Sequence, residues 1–282
     1  MKKVGLLLFV LISFGMSAQN EKSVYTYNVG DISVSTLSES QGNGQTKILI
    51  GATPDMVGKY LPDGTFPNAV NAFFVKTPDK TILVDAGFGR KLFDNLKDLN
   101  VLPEQVDVIL LTHMHGDHIG GLLRDGQKAF PNAELYISNV EHDYWIKENK
   151  DAQKNVISIY KDKLKLFDAQ ESLETSTEVI PGVKAFAAYG HTPGHTIFQF
   201  HSGNQCLLVW GDLTHAMKIQ MPCPEVAVTY DVDPDLAIKS RKKILKYVSE
   251  NNIPIAGMHI AYPAIGTIKS NQGGGYIFDE FK

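Results

Sequence analysis

Thr112-His113-Met114-His115-Gly116-Asp117-His118-Ile119-Gly120-Gly121 places four side chains of ligand type within six positions, 113–118. Imidazole nitrogens and carboxylate oxygens are the donors that zinc takes. The stretch directly follows the apolar run 106–112. In extended backbone alternate side chains share a face, so His113 and His115 can chelate one ion. Asp117 and His118 fall at the turn into a helix and point elsewhere, which suits a second, adjacent ion.

Three other stretches offer the same residue types. Gly190-His191-Thr192-Pro193-Gly194-His195-Thr196 holds a Pro-Gly turn that presents His195 toward a cleft. Trp210-Gly211-Asp212-Leu213-Thr214-His215 places an acid just after an apolar strand, and Ile255-Ala256-Gly257-Met258-His259 ends a strand on a histidine. Ligands carried at the ends of a rigid sheet are a common arrangement. Two ions held in this way suit hydrolysis by water. Asp117 is expected to take the proton of the attacking water, and His215 either to hydrogen-bond the substrate oxygen or to support a neighbouring side chain. Asp85 and Asp107 each flank an apolar run and are expected to orient ligand imidazoles.

These residues need elements to hold them. Alternation of apolar and polar residues over 24–37, broken at Gly30-Asp31, predicts a hairpin. Strands are expected at 69–75, 81–84, 106–112, 134–138, 183–188, 196–200, 205–210 and 253–258. Helices are expected at 139–150 and 152–164. Asp233 and Pro234 read as N-cap and first residue of another helix, ending near Asn251-Asn252. Residues 42–64 are Gly/Pro-marked and irregular, a candidate loop over a site. Met56, Phe66, Trp145, Met217 and Met221 are candidates for the pocket lining, although core packing is the expectation for any one of them. Strands and helices interleave without a linker, so one mixed α/β domain is expected over 19–282.

The first eighteen residues stand apart. Lys2 and Lys3 precede an apolar run over 4–14, and small residues end at Ala18. This pattern predicts a secretory signal peptide over 1–18, and hence a secreted or periplasmic protein. The run is too short for a bilayer span of ~20 residues, so no membrane anchor is expected. Cleavage would take the formal charge from −4 to −6. An acidic surface argues against nucleic acid as a partner, since phosphate binding needs clustered cations. The basic cluster over 239–246 falls on a helical pattern and reads as a solvated face. Two cysteines, Cys206 and Cys223, do not make a disulfide framework. Cys206 lies in an apolar run and is expected as a buried thiol. A homodimer is the commonest assembly for such a chain.

Taken together, His113, His115, Asp117, His118, His195, Asp212 and His259 resemble the ligand pattern of the metallo-β-lactamase superfamily. Asp85 in Leu83-Val84-Asp85-Ala86-Gly87 matches that family's first motif. The resemblance runs over about 24–268. It implies a four-layer αββα sandwich with two zinc ions at one edge, or manganese, iron or cobalt in their place. It also implies that His113, His115 and His195 hold one ion, Asp117, His118 and His259 the other, and that Asp212 bridges them. True β-lactamases of this fold lack that bridging carboxylate, whereas glyoxalase-type thioesterases and lactonases have it. The stretches 190–196, 211–215, 230–234 and 259–266 are similar to the methyl parathion hydrolase and N-acyl homoserine lactonase branch. Some of those lactonases carry Tyr where this chain has His215, which leans toward the methyl parathion hydrolase side. The resemblance therefore implies a lactone, ester or phosphotriester as the small-molecule substrate.

Overall fold

The computed structural model of the protein describes residues 23–175 and 177–282. The expected signal segment, 1–18, lies outside the described residues.

Strand residues alternate in direction, so each strand of a buried sheet feeds two cores. Phe73, Val75, Ile82, Val84, Val108 and Leu110 point to one side, into a core shared with Phe186, Phe198, Phe200 and Val209. Their neighbours Ala72, Phe74, Leu83 and Ile109 point to the other side, into a core shared with helix residues. The first sheet runs, in spatial order, Val24–Val29, Ile32–Gln45, Thr65–Lys76, Thr81–Val84, Val108–Leu110, Glu134–Ser138 and Leu164–Phe167. Its first three pairings are antiparallel and its last three parallel. The second sheet runs Val183–Ala187, Thr196–Ser202, Gln205–Val209, Ile255–Ala256, Ile265–Ser270 and Tyr276–Glu280.

Helices cover both outer faces. Leu92–Asp98, Asn139–Glu148 and Asp151–Tyr160 bury Leu92, Leu96, Trp145, Val156 and Tyr160 against the first sheet. Pro234–Glu250 lays Ile244, Leu245 and Val248 against the second sheet, beside Ile265–Ser270. The layers are therefore helix, sheet, sheet, helix, the expected αββα sandwich. The long helix starts as read: Pro234 is its first residue, and the Asp233 side chain caps it by accepting from Leu236 N at 3.0 Å. Among the described residues no helix is long and apolar enough to cross a membrane.

The helix Leu92–Asp98 and the strands Ile265–Ser270 and Tyr276–Glu280 lie outside the expected elements, and two stretches fold differently from expectation. Residues 42–64 are not one loop. Ile32–Gln45 continues as a strand and pairs with Thr65–Lys76 as far as Gln45 and Thr65. A short helix, Pro54–Tyr60, follows. The register shifts between Ser38 and Ser40. Glu39 is left unpaired there, and its buried carboxylate accepts from Arg90 N at 2.9 Å and Lys91 N at 2.8 Å. A satellite core of Leu61, Phe66, Ile219 and Val226 anchors this arm beside the site. The second difference is at 161–167. The helix expected to reach residue 164 stops at Tyr160, and Leu164–Phe167 pairs in parallel with Glu134–Ser138. Four residues are too few to show a strand period.

Candidate metal centre

The parallel strands Thr81–Val84 and Val108–Leu110 deliver their C-terminal ends to one edge of the sandwich. Asp85 follows the first, and 112–118 follows the second. His195 and Thr196 are joined to that edge by Thr196 N donating to Thr112 O at 2.8 Å. Asp212 and His259 arrive from the second sheet. Distant segments therefore meet because the two sheets end together.

Two separate groups of ligand-type atoms form there, and a third, Asp212, His215 and His259, overlaps both. In the first, His113, His115, His191 and Asp212 each offer an atom within 4.8 Å of the others. His113 Nε2 lies 2.9 Å from His115 Nδ1, which lies 3.0 Å from His191 Nε2. In the second group, Asp117, His118 and His259 converge in the same way. Asp212 joins them: its Oδ2 is 3.2 Å from His191 Nε2 and 3.0 Å from His259 Nε2, and its Oδ1 is 3.1 Å from His118 Nε2.

Partners behind the rings set which nitrogen faces inward. Asp85 Oδ2 accepts from His118 Nδ1 at 2.7 Å, and its carboxylate also takes Thr112 N and Thr112 Oγ1. The Thr112 hydroxyl, having donated to Asp85, accepts from His113 Nδ1 at 3.1 Å. His191 Nδ1 donates to Asp231 Oδ1 at 2.9 Å, and His259 Nδ1 to Ala69 O at 2.7 Å. All four rings therefore turn Nε2 toward the cluster, where an ion would take its lone pair. Facing lone pairs at about 3 Å repel unless a cation lies among them. His118 Nε2 and Asp212 Oδ1 are moreover buried with no hydrogen-bond partner. Nitrogen and carboxylate donors in two sets of this kind fit two divalent transition ions.

The electrostatics agree. In the chain alone, burial and neighbouring imidazoles push His113 well below its usual range and His115 to about 4. Despite burial, the His118, His259 and His113 rings hold Asp212 well below the usual carboxylate range. Despite burial, Asp212 and Asp231 hold His191 up at about 9.

The structure brings together six of the seven expected ligands and replaces the seventh. His195 lies outside the cluster. Its Nε2 accepts from Asp212 N at 2.9 Å and its Nδ1 donates to Ala188 O at 3.1 Å, so neither nitrogen is left for an ion. Gly211, at φ +57, passes over this ring so closely that a Cβ there would lie 2.5 Å from His195 Nε2. His191, four residues earlier, takes the place expected for His195. Asp107 is also corrected. It is exposed at the opposite end of its strand and bonds Thr81 N and Thr81 Oγ1 instead of a ligand ring. Asp85 does orient a ring, as expected. Asp231 and Glu141 escaped the sequence reading; both look like ordinary surface acids in one dimension.

His215 stands at the rim of the cluster, with Nε2 3.1 Å from Asp212 Oδ2 and its ring stacked on His259 at 4.5 Å. A cleft of about 630 Å³ opens above. Its walls include Asn43, Gln45 and Lys47 from the strand-and-turn arm, and Val70, Phe88 and Tyr230. Met56, Phe66, Trp145, Met217 and Met221 do not line it. They pack in or against the cores. Both cysteines are free thiols, Cys223 buried and Cys206 half-buried.

Comparison with known proteins agrees with this geometry. The sequence profile of the metallo-beta-lactamase superfamily matches residues 65–252. Exodeoxyribonuclease WalJ of Streptococcus pneumoniae is 33% identical over 98 residues, covering 33% of this chain and 36% of that protein. The chain thus spans about a third of that relative's length. Among solved structures, hydrolase AbOPH of the beta-lactamase superfamily superposes with a TM-score of 0.84 at 29% identity, over 94% of this chain and 100% of that one. AidC, a dizinc quorum-quenching lactonase in complex with a product, superposes with a TM-score of 0.81 at 27% identity, over 92% and 98%. The profile covers most of the chain and the fold matches throughout, so this protein belongs to the metallo-β-lactamase superfamily.

Proposed function

We propose that the protein is an exported dizinc hydrolase that opens lactones or esters, with N-acyl homoserine lactones as the substrate class. The observation that carries this reading is the pair of ligand groups sharing Asp212 at the floor of a cleft sized for a small molecule. His113, His115 and His191 would hold one ion, Asp117, His118 and His259 the other, and Asp212 would contact both. Two zinc ions supply, when bound, a water acidified for attack and a Lewis acid for the oxygen of the scissile bond.

The chain's own groups do the rest. Asp117 is partly open to the cleft, its carboxylate 3.7 Å from His118 Nε2 and 3.6 Å from His259 Nε2. We assign to it the proton of the attacking water, which it would return to the leaving group. His215 lines the cleft with Nε2 on Asp212 Oδ2; with Asp212 turned to the ions, that nitrogen would be free to hydrogen-bond the substrate oxygen. Phe88, Val70 and Tyr230 give an acyl chain an apolar path, and Asn43 and Gln45 offer partners for an amide.

A second reading, phosphotriester hydrolysis, is favoured by His215 standing where some lactonases have tyrosine. The test is kcat/KM over a panel of acyl homoserine lactones, simple esters and paraoxon-like triesters, with the zinc-loaded enzyme. Lactones are expected to turn over best. Turnover of the triester alone would replace the first reading by the second, and full activity after exhaustive chelation would end both. A short single-stranded oligonucleotide in the same panel is expected to remain intact.

A further inference from the structure

One buried acid outside the ligand set ties together the two loops that carry the first group of ligands. Glu141 sits in the first turn of helix Asn139–Glu148 and is 1% exposed. Its Oε1 accepts from Met114 N at 2.8 Å and from Trp145 Nε1 at 2.6 Å. Its Oε2 accepts from the Thr192 hydroxyl at 2.6 Å and from Gly194 N at 3.1 Å. Met114 lies between His113 and His115, and Thr192 follows His191. A single carboxylate therefore spans all three imidazoles of one group.

The surrounding contacts reinforce this. Ser138 Oγ donates to Gly194 O at 2.9 Å, and Gln153 Nε2 donates to Met114 O at 2.7 Å. Gly194 must be glycine, since a Cβ there would lie 2.1 Å from Glu141 N. The Trp145 indole, held by Glu141, stands edge-on to His115 at 5.7 Å. Among the described residues nothing comparable reaches the second group from this side. His118 is held by Asp85 and His259 by Ala69 O.

We propose that Glu141 is a positioning residue that sets the affinity of the ion held by His113, His115 and His191, and leaves the other ion unaffected. The chemistry is specific to a carboxylate. All four partners are donors, so an acceptor-only group is needed. Glutamine would set an amide N–H against one pair of donors and release one loop. Misplaced imidazoles bind an ion less tightly, and partners that orient ligands change affinity by about 10–100-fold.

This inference rests on the two-ion reading above, and the experiment separates them. Zinc is titrated into wild type, Glu141→Gln, Thr192→Val and Asp85→Asn in competition with a chromophoric chelator, giving two dissociation constants for each protein. Glu141→Gln is expected to weaken one constant by about 10–100-fold and to leave the other within about threefold. Asp85→Asn is expected to weaken both, because Asp85 holds His118 directly and His113 through the Thr112 hydroxyl. Thr192→Val removes a single bond at nearly constant volume, and should weaken the same constant as Glu141→Gln by a smaller factor. It also keeps the test alive if Glu141→Gln does not fold. In Glu141→Gln, equal loss at both sites, or a lowered Tm with both constants unchanged, would overturn the inference alone. Wild type that binds no zinc would overturn the two-ion reading as well.

Discussion

Asp231 Oδ1 lies 2.9 Å from His191 Nδ1, forty residues away in sequence, and so turns His191 Nε2 toward Asp212. A carboxylate behind a ligand imidazole fixes its tautomer and raises its basicity. Asp231→Ala should therefore weaken one ion by about 10–100-fold and lower kcat in step at limiting zinc. Metal content after dialysis, compared with kcat at saturating zinc, checks this. An unchanged metal content would show that the pair only packs.

His191 and His195 should separate cleanly on substitution. His191→Ala is expected to bind one zinc equivalent where wild type binds two, with activity lost. His195→Ala is expected to keep both ions and to lose stability. It leaves Asp212 N–H and Ala188 C=O without partners, and each buried orphan costs roughly 1–3 kcal/mol. Metal analysis paired with urea unfolding distinguishes the two roles. The reverse pattern would restore His195 as the ligand.

That pair also shows where the sequence is legible and where it is not. His113 to His118 stand out because the ligands are consecutive and follow a run buried on both faces. Asp212 and His259 are visible as polar residues ending apolar strands. The choice between His191 and His195 is invisible in the spacing, since both flank one Thr-Pro-Gly turn. It is decided by Asp231, distant in sequence, and by the close pass of Gly190 over Ala237, where a Cβ would lie 2.0 Å from Ala237 N. Asp107 misleads because a strand has two ends, and only the C-terminal ends of the parallel strands reach the site. Glu141 sits in a helix whose sequence shows little amphipathic contrast, so nothing marks it as buried. The arm at 42–64 lacks the two-residue alternation of a half-buried strand, and only pairing with Thr65–Lys76 reveals it.

Arg241 makes a third prediction. It is buried, with Nε donating to Leu213 O at 2.8 Å and Nη1 to Pro224 O and Val226 O, and with Nη2 3.8 Å from Asp231 Oδ2. Arg241→Leu would leave those carbonyls short of donors and the Asp231 charge unscreened. Removing one partner of a buried charged pair costs about 3–5 kcal/mol. Urea midpoints at saturating zinc should fall accordingly. Arg241→Lys should recover only part, because an ammonium cannot reproduce the fork.

The two thiols offer a fourth check. Cys206 and Cys223 are unpaired, and burial pushes both thiols above their usual range. Thiolate is the reactive form. A disulfide-exchange reagent should count two thiols per chain after unfolding without reductant. In the native protein at pH 8 it should react much more slowly than with a free cysteine. A count of zero after unfolding would mean a disulfide and would contradict the geometry.

Acid should strip the ions, and the sign follows from the imidazoles. Within the chain alone, despite burial, neighbouring carboxylates hold His118 well above its usual range and His191 at about 9. An ion needs their lone pairs, so zinc binding must displace protons. Protons and zinc compete, and apparent affinity falls as pH falls. For His191 the competition operates below about pH 9, each displaced proton costing roughly tenfold in affinity per pH unit. Loading at pH 8 in weakly buffered solution should therefore release measurable acid. Each bound ion also favours the folded chain by mass action, about 2.7 kcal/mol at a hundredfold excess over Kd. For a chain of this size the two together raise Tm by roughly 10 °C. Chelation should lower Tm by that amount at pH 8 and by less at pH 6, where affinity is already weaker. A Tm shift on chelation that grows toward acid would reverse the assigned protonation and sink this account of the cluster.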